Sequence, residues 1–364
     1  MESYINVDKN MIVNKTIGDV DVVWHDVREE PFELHGFYEA KTEPYFHRLP
    51  TEVGVATSEG VSKLEKESAG GRVRFSTDSP YIAIRAKFRA VGRSSHLTLI
   101  SSAGFDLYID GEFGARFVQE FRTPYDMGGY YEQIVRLEAG KMRSYTIGFP
   151  VHSVVETLEV GLMPTASLGK TKKPYRDIAP VIFYGSSIVH GTAATRPGLT
   201  YPAMISRELN IDYKNIGFSG MAKGERAIAE WMAELPMSVF VCDYDHNTPT
   251  TEHLINTHYA LYKTIRAKNP TVPYIMITRP DFWTKIREQE TILQRRDVIL
   301  ESYLKARAEG DKNVYFIDGI GFNYAPHQYD LTVDGVHPND AGFARMADAI
   351  GTVIRYALEK QREN

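Results

Sequence analysis

Two short stretches of the chain combine residue types that can carry out acyl-transfer chemistry. Gly185-Ser186-Ser187-Ile188-Val189-His190-Gly191 places a serine pair directly after the apolar run Val181-Ile182-Phe183-Tyr184, and Asp334-Gly335-Val336-His337-Pro338 places an imidazole three residues from a carboxylate. A serine hydroxyl is a poor nucleophile at neutral pH, so it needs an imidazole to take its proton, and the imidazole needs an acceptor to hold its tautomer. A separation of three in a turn keeps Asp334 and His337 on one side of the backbone. The negative charge that develops on the attacked carbonyl needs hydrogen-bond donors. Gly220, ending Asn215-Ile216-Gly217-Phe218-Ser219-Gly220, lets a backbone N–H approach closely, and Asn247, ending Asp243-Tyr244-Asp245-His246-Asn247, offers an amide. Each piece also has a structural reading: Gly and Ser cluster in turns, Asp334 is a turn former, His337 suits a solvated loop, Gly220 suits a helix entry and Asn247 a helix cap.

What favours chemistry is where these pieces fall. From residue 178 to the end, short β-rich runs alternate with helical stretches. Strands are expected at 180–184, 213–217, 238–243, 273–278 and 313–318, and helices at 201–209, 223–235, 251–268, 285–308 and 340–358. Alternating β and α elements imply a parallel sheet covered on both faces, and ligands of such sheets gather at the carboxyl ends of the strands. The serine pair, Gly220, Asn247 and the Asp334/His337 pair follow different predicted strands on that one edge. Ahead of them, 72–76, 81–88, 105–109 and 144–149 largely alternate in polarity and are separated by turn signals at Asp78-Ser79-Pro80, Asp110-Gly111 and Ala139-Gly140, the pattern of a β-sandwich. The proline-bracketed, basic stretch 163–177 reads as a linker, dividing the chain into a sandwich domain over 1–165 and an α/β domain over 178–364.

Composition excludes other classes. The 364 residues are 43% hydrophobic and 24% charged with a net charge of -5, an ordinary globular balance without general attraction to nucleic acid or anionic lipid. Cys242 is the single cysteine, so no internal disulfide forms. Residues 1–8 lack a signal-peptide pattern and no apolar run is long enough to span a bilayer, from which a cytoplasmic protein is expected; on that reading the sequon Asn14-Lys15-Thr16 is idle. Asp243-x-Asp245-x-Asn247 begins like a calcium loop but continues with Thr248 and reaches Leu254 at position twelve, while His246, His253 and His258 lack zinc-motif spacing. No metal and no nucleotide cofactor are expected, and the oligomeric state is not legible.

The blocks Gly185-Ser186-Ser187-Ile188, Asn215 to Gly220, Asn247 and Asp334-Gly335-Val336-His337 together resemble, in order, those of the SGNH, or GDSL, hydrolase superfamily. That resemblance implies a flavodoxin-like α/β/α fold, Ser187 as nucleophile, His337 as general base and Asp334 as its orienter. It also implies an oxyanion hole built from the N–H groups of Ser187 and Gly220 with the Asn247 amide. The sequence departs from the usual pattern at Ser186, where Asp is common, and at Asp245-His246-Asn247-Thr248, where Gly-x-Asn-Asp is common. Gly104-Phe105-Asp106-Leu107-Tyr108 matches the GxDLY signature of the jelly-roll-like β-sandwich that precedes one branch of the superfamily. The implied activity is removal of O-acetyl groups from xylan- or mannan-derived oligosaccharides; the alternatives are a lipase or thioesterase on the same triad, or a non-catalytic carbohydrate-binding protein. Trp283 and Tyr130-Tyr131 are aromatic residues placed where sugar could stack, although core packing serves them equally.

Overall fold

The computed structural model describes residues 17–363 apart from 19, 112, 113, 139 and 325; residues 1–8, the sequon at 14–16 and Ala139 lie outside the described residues. The N-terminal half holds strands Val23–Asp26 (β1), Glu33–His35 (β2), Arg72–Thr77 (β3), Tyr81–Val91 (β4), Phe105–Gly111 (β5), Gly114–Phe121 (β6), Tyr130–Arg136 (β7), Arg143–Gly148 (β8), Ser153–Leu162 (β9) and Leu168–Gly169 (β10). They form two antiparallel sheets, β1-β9-β4-β7 and β10-β3-β8-β5-β6 with β2 beside β3. Inward-facing Phe75, Ile84, Phe105, Tyr131, Tyr145 and Val160 fill the space between them. Each such side chain contributes about 1.5–3 kcal/mol through burial. The stretch 163–177 is not a free linker, because β10 within it pairs antiparallel with β3. Ser167 N–H and Lys172 N–H donate to Asp78 and Ser144 as well. Polar composition hid this, since its backbone groups, not its side chains, make most of the attachment.

Short helices Thr51–Thr57 (α1), Glu59–Leu64 (α2) and Leu99–Ala103 (α3) interrupt the sandwich. Leu49 and Val61 pack into the core of the C-terminal half, beneath its sheet.

That half contains Val181–Gly185 (β11), Tyr213–Gly217 (β12), Val239–Asp243 (β13), Tyr274–Ile277 (β14) and Val314–Ile317 (β15), all parallel in the order β12-β11-β13-β14-β15. This is the flavodoxin-like 2-1-3-4-5 order. Helices are Ser187–His190 (α4), Tyr201–Leu209 (α5), Arg226–Ala233 (α6), Thr251–Lys268 (α7), Gln289–Ala308 (α8) and Asp340–Glu363 (α9). Successive strand residues face opposite layers. Ile182 and Tyr184 meet Met232, Leu261 and Ile299 of α6, α7 and α8, whereas Val181 and Phe183 meet Ile205 and Ile350 of α5 and α9. Both faces are therefore dry, which is why these strands read as continuous apolar runs. No described helix is long and apolar enough to cross a membrane.

The GxDLY segment docks the two halves. Asp106, fully buried, accepts from Gly198 N–H at 2.7 Å and from Arg196 Nη1 at 3.2 Å, and Arg196 also donates to the Tyr108 hydroxyl. Burial pushes the Asp106 carboxyl up, against the pull of Arg196.

Candidate active site

Strand β11 ends in a turn that only glycine fits: a Cβ on Gly185 would stand 2.1 Å from the Asp243 carbonyl oxygen. The chain then enters α4. Ser186 is its N-cap, fully buried, with Oγ accepting from Ile188 N–H at 3.2 Å. Its hydroxyl is committed to the backbone. Ser187, one residue on, turns its Oγ toward His337 Nε2 at 2.9 Å.

His337 is carried by a pinned turn. Thr332 Oγ1 accepts from Gly335 N–H, Thr284 Oγ1 donates to the Gly335 carbonyl, and Val333 N–H donates to the His337 carbonyl. Asp334 closes the constellation from inside that turn. Its Oδ1 accepts the N–H groups of Val336 and His337 at 2.9 and 2.8 Å, and its Oδ2 lies 2.7 Å from His337 Nδ1. Partial burial works to raise the Asp334 carboxyl, but the His337 side chain and the two backbone donors outweigh it and hold it down at about 2. An ionised Oδ2 requires a proton on Nδ1, which leaves Nε2 with its lone pair toward Ser187.

The predicted oxyanion donors lie on the loops beside this serine. Gly220 has a φ of +72°, and that left-handed turn favours glycine. Among the described residues neither Ser187 N–H nor Gly220 N–H has an acceptor. Asn247 Nδ2 donates to the Phe218 carbonyl at 2.8 Å, tying the loop after β13 to the loop that carries Gly220 and leaving one amide proton uncommitted. Asp245 anchors the Asn247 turn, its Oδ1 accepting from Arg295 Nε at 2.7 Å. Thus the unusual Asp245-His246-Asn247 block has a structural account: the aspartate is spent on Arg295, and α7 is capped by Thr250 rather than by Asn247.

Several residues that sequence reasoning missed support these loops from the N-terminal half. Arg48, wholly buried, donates from Nη1 to the carbonyls of Asn215 and Gly217 at 3.1 and 2.6 Å, at the end of β12 just before Gly220. Burial lowers its pKa to about 10. His96 Nε2 lies 3.2 Å from Asp334 Oδ2, so two imidazoles share that oxygen.

Glu67, His152 and His190 form a third group, with ligand-capable atoms within 4.8 Å of one another. Glu67 Oε2 stands 3.0 Å from His152 Nδ1 and 3.1 Å from His190 Nε2. His190 Nε2 also faces the Val151 carbonyl and therefore carries the proton, leaving Nδ1 to accept from Ser219. His152 Nε2 meets Thr192 Oγ1 at 3.0 Å, and Thr192 meets Ser219 Oγ at 3.1 Å. Burial, then the neighbouring His152 and Arg48, bring His190 down to about 3. Burial would raise the Glu67 carboxyl, yet the hydrogen bonds from the two histidines hold it well below the usual range. Each of these side chains has a hydrogen-bond partner within the ring, and the ring holds Ser219, the neighbour of Gly220, in place. Of the aromatics, Tyr131 is core, while Trp283 donates to the Ile320 carbonyl and is only partly buried.

Residues 178–355 match the GDSL-like lipase/acylhydrolase family, and residues 22–168 match the N-terminal domain of SGNH-hydrolase-type esterases. A crystal structure of a Bacteroides ovatus protein assigned as a GDSL-like lipase superposes with a TM-score of 0.83 at 28% identity, covering 93% of this chain and 98% of that one. A salicylyl-acyltransferase from a tetracycline biosynthetic pathway gives 0.74 at 20% identity over 90% and 95%. An acetyl xylan esterase from the rumen bacterium Butyrivibrio proteoclasticus gives 0.58 at 13% over 93% and 99%. The last two likenesses show the fold. No curated protein sequence matches the chain.

Proposed function

Because the chain belongs to the SGNH/GDSL hydrolases, with the GxDLY domain at its N-terminal side, we propose that it is a serine esterase that removes O-acetyl groups from carbohydrate through an acyl-enzyme. The observation that carries this reading is the continuous hydrogen-bonded line from Ser187 Oγ through His337 to Asp334, at 2.9 and 2.7 Å. Ser187 Oγ attacks the acetyl carbonyl carbon while His337 Nε2 takes its proton and Asp334 steadies the resulting imidazolium. The carbonyl oxygen, now negative, is received by the N–H groups of Ser187 and Gly220 and by the free amide proton of Asn247. His337 then returns the proton to the departing sugar oxygen. Water, deprotonated by the same imidazole, releases acetate and restores the serine. On this reading the chain comprises an accessory sandwich over 1–165 and a catalytic domain over 178–364, and its partner is an acetylated oligosaccharide of the xylan or mannan class. The fold shared with an acetyl xylan esterase supports that substrate class.

The test is acetate release from acetylated xylan and acetylated mannan oligosaccharides, run beside a series of model esters of increasing acyl length. Release from at least one oligosaccharide, abolished in Ser187→Ala, is expected, together with a sharp preference for acetyl over longer chains. Comparable rates on long acyl esters would replace the reading with a lipase or thioesterase; no hydrolysis by the wild type would leave a sugar-binding protein.

A further inference from the structure

The loop between β4 and α3 reaches from the sandwich to the turn that carries Asp334 and His337, and separate contacts hold it on either side of that imidazole. His96, in this loop, places Nε2 3.2 Å from Asp334 Oδ2. Its ring stands edge-on to the His337 ring, with 6.1 Å between centroids and 63° between planes. Further along the loop, Thr98 Oγ1 donates to the Thr195 carbonyl at 2.6 Å. Thr195 is itself held by Asp340, whose carboxylate accepts the Thr195 N–H at 2.9 Å and the Thr195 hydroxyl at 2.6 Å. Asp340 opens α9, directly beyond the catalytic turn. The sandwich loop therefore meets the segment bearing His337 at Asp334 on one side and, through Thr195, at Asp340 on the other.

The contact at Asp334 has a chemical consequence. Its Oδ1 is committed to the N–H groups of Val336 and His337, and its Oδ2 to His337 Nδ1. The carboxyl is held down at about 2, so near neutral pH it is ionised and can only accept. A carboxylate offers about four lone-pair sites, which leaves one on Oδ2 beyond the bond to His337. The Asp334 side chain is 25% exposed, so water competes for that site. His96 faces the same oxygen, and because Oδ2 cannot donate, the His96 nitrogen turned toward it carries a proton. When His337 takes the serine proton, Asp334 has to stay aimed at Nδ1 to steady the imidazolium. A proton-bearing group brought from the other half of the molecule limits how far Oδ2 can swing toward water. His96 is itself 42% exposed, and exposed ion pairs contribute little to folding, so the effect belongs in turnover rather than in stability.

We propose that His96 is a positioning residue of the esterase site, contributed by the sandwich, and that it acts through Asp334 by keeping Oδ2 on His337 Nδ1. This role rests on the Ser187, His337 and Asp334 mechanism proposed above and is independent of which ester is cleaved.

The test is steady-state hydrolysis of p-nitrophenyl acetate by the full chain carrying His96→Ala or His96→Gln, and by Asp334→Ala with and without His96→Ala, with thermal unfolding of the same samples. His96→Ala should lower kcat by about threefold or more, with KM within twofold and the unfolding temperature unchanged. His96→Gln, which returns an N–H donor at nearly the same reach, should recover at least half of the wild-type kcat. In the Asp334→Ala background His96→Ala should cost nothing further, since the group it works through is gone. A His96→Ala enzyme less than threefold slower than wild type overturns the proposal. So does a His96→Gln enzyme no faster than His96→Ala, or an undiminished effect of His96→Ala in the Asp334→Ala background. The two readings fail differently: a wild type without Ser187-dependent hydrolysis removes the esterase mechanism and this role with it, whereas an active wild type with an unaffected His96→Ala variant removes this role alone.

Discussion

Replacing Asn247 by alanine separates an oxyanion donor from a structural tie. The amide has two protons, and one is held by the Phe218 carbonyl at 2.8 Å. That carbonyl also accepts from Met221 and Ala222 N–H at 2.9 and 3.3 Å, so it stays satisfied when the amide is removed. The fold should therefore lose little, about 1 kcal/mol for one net hydrogen bond. The transition state, by contrast, would lose one of three donors, which costs about 2.7–4 kcal/mol, or roughly 100- to 1,000-fold in kcat. Steady-state hydrolysis of p-nitrophenyl acetate gives kcat and KM, and thermal unfolding of the same samples shows that the fold is intact. The expected result is a kcat at least 100-fold lower with KM changed little. Asn247→Asp should be worse still, because a carboxylate beside the Phe218 carbonyl and the forming oxyanion repels both. A folded Asn247→Ala enzyme whose kcat lies within threefold of wild type would remove Asn247 from the oxyanion hole and leave the two backbone N–H groups as its only donors.

Other consequences follow from single contacts. Asp334→Asn keeps the shape of the turn but offers His337 Nδ1 an N–H as readily as an oxygen, so the wrong tautomer is stabilised and kcat should fall by about 10⁴; a loss under tenfold would mean that His96, or nothing, orients the base. Asp106→Ala leaves Arg196 and Gly198 N–H without their buried acceptor and should cost about 3–5 kcal/mol in urea unfolding, and a loss below 1 kcal/mol would show that the GxDLY segment does not dock the halves. His258 is buried with both ring nitrogens unpartnered among the described residues, and burial brings it down to about 4. The unfolded chain, with an ordinary histidine near 6.5, takes up that proton first as pH falls, so stability is lost between about pH 6.5 and 4 and levels off below. His258→Leu should flatten the decline by roughly 1.4 kcal/mol per pH unit relative to wild type; urea midpoints at pH 7, 5.5 and 4.5 with an unchanged slope would contradict this.

The parts of the molecule that could be read from the chain are those whose signal is local. The five parallel strands announce themselves because both faces of each are dry, and Ser187, Gly220, Asn247, Asp334 and His337 because they stand in short turns beyond those strands. The choice of Ser187 over Ser186 rests in sequence on the family block alone; the structure adds that Ser186 Oγ accepts from Ile188 N–H as the cap of a helix too short to be read from the chain. The buttress behind the site had no such signal. Arg48 grips the Asn215 carbonyl 167 positions away, and His152 reaches Glu67 across 85. In sequence these are an arginine, a glutamate and histidines in polar loops, the residue types that ordinarily face water. Spacing cannot reveal them, because their partners are set by how the sandwich docks on the sheet, through contacts such as Asp106 to Gly198 N–H and Arg72 to Asp212 that follow no periodicity. The consequence for mechanism is that the loop carrying Gly220 is held on one side by Arg48 and by the Glu67, His152 and His190 ring, and on the other by Asn247. Donors aimed before the substrate arrives do not have to reorganise as charge develops. On the proposed mechanism the N-terminal half therefore backs the oxyanion donors, and its contribution should register in kcat more than in KM.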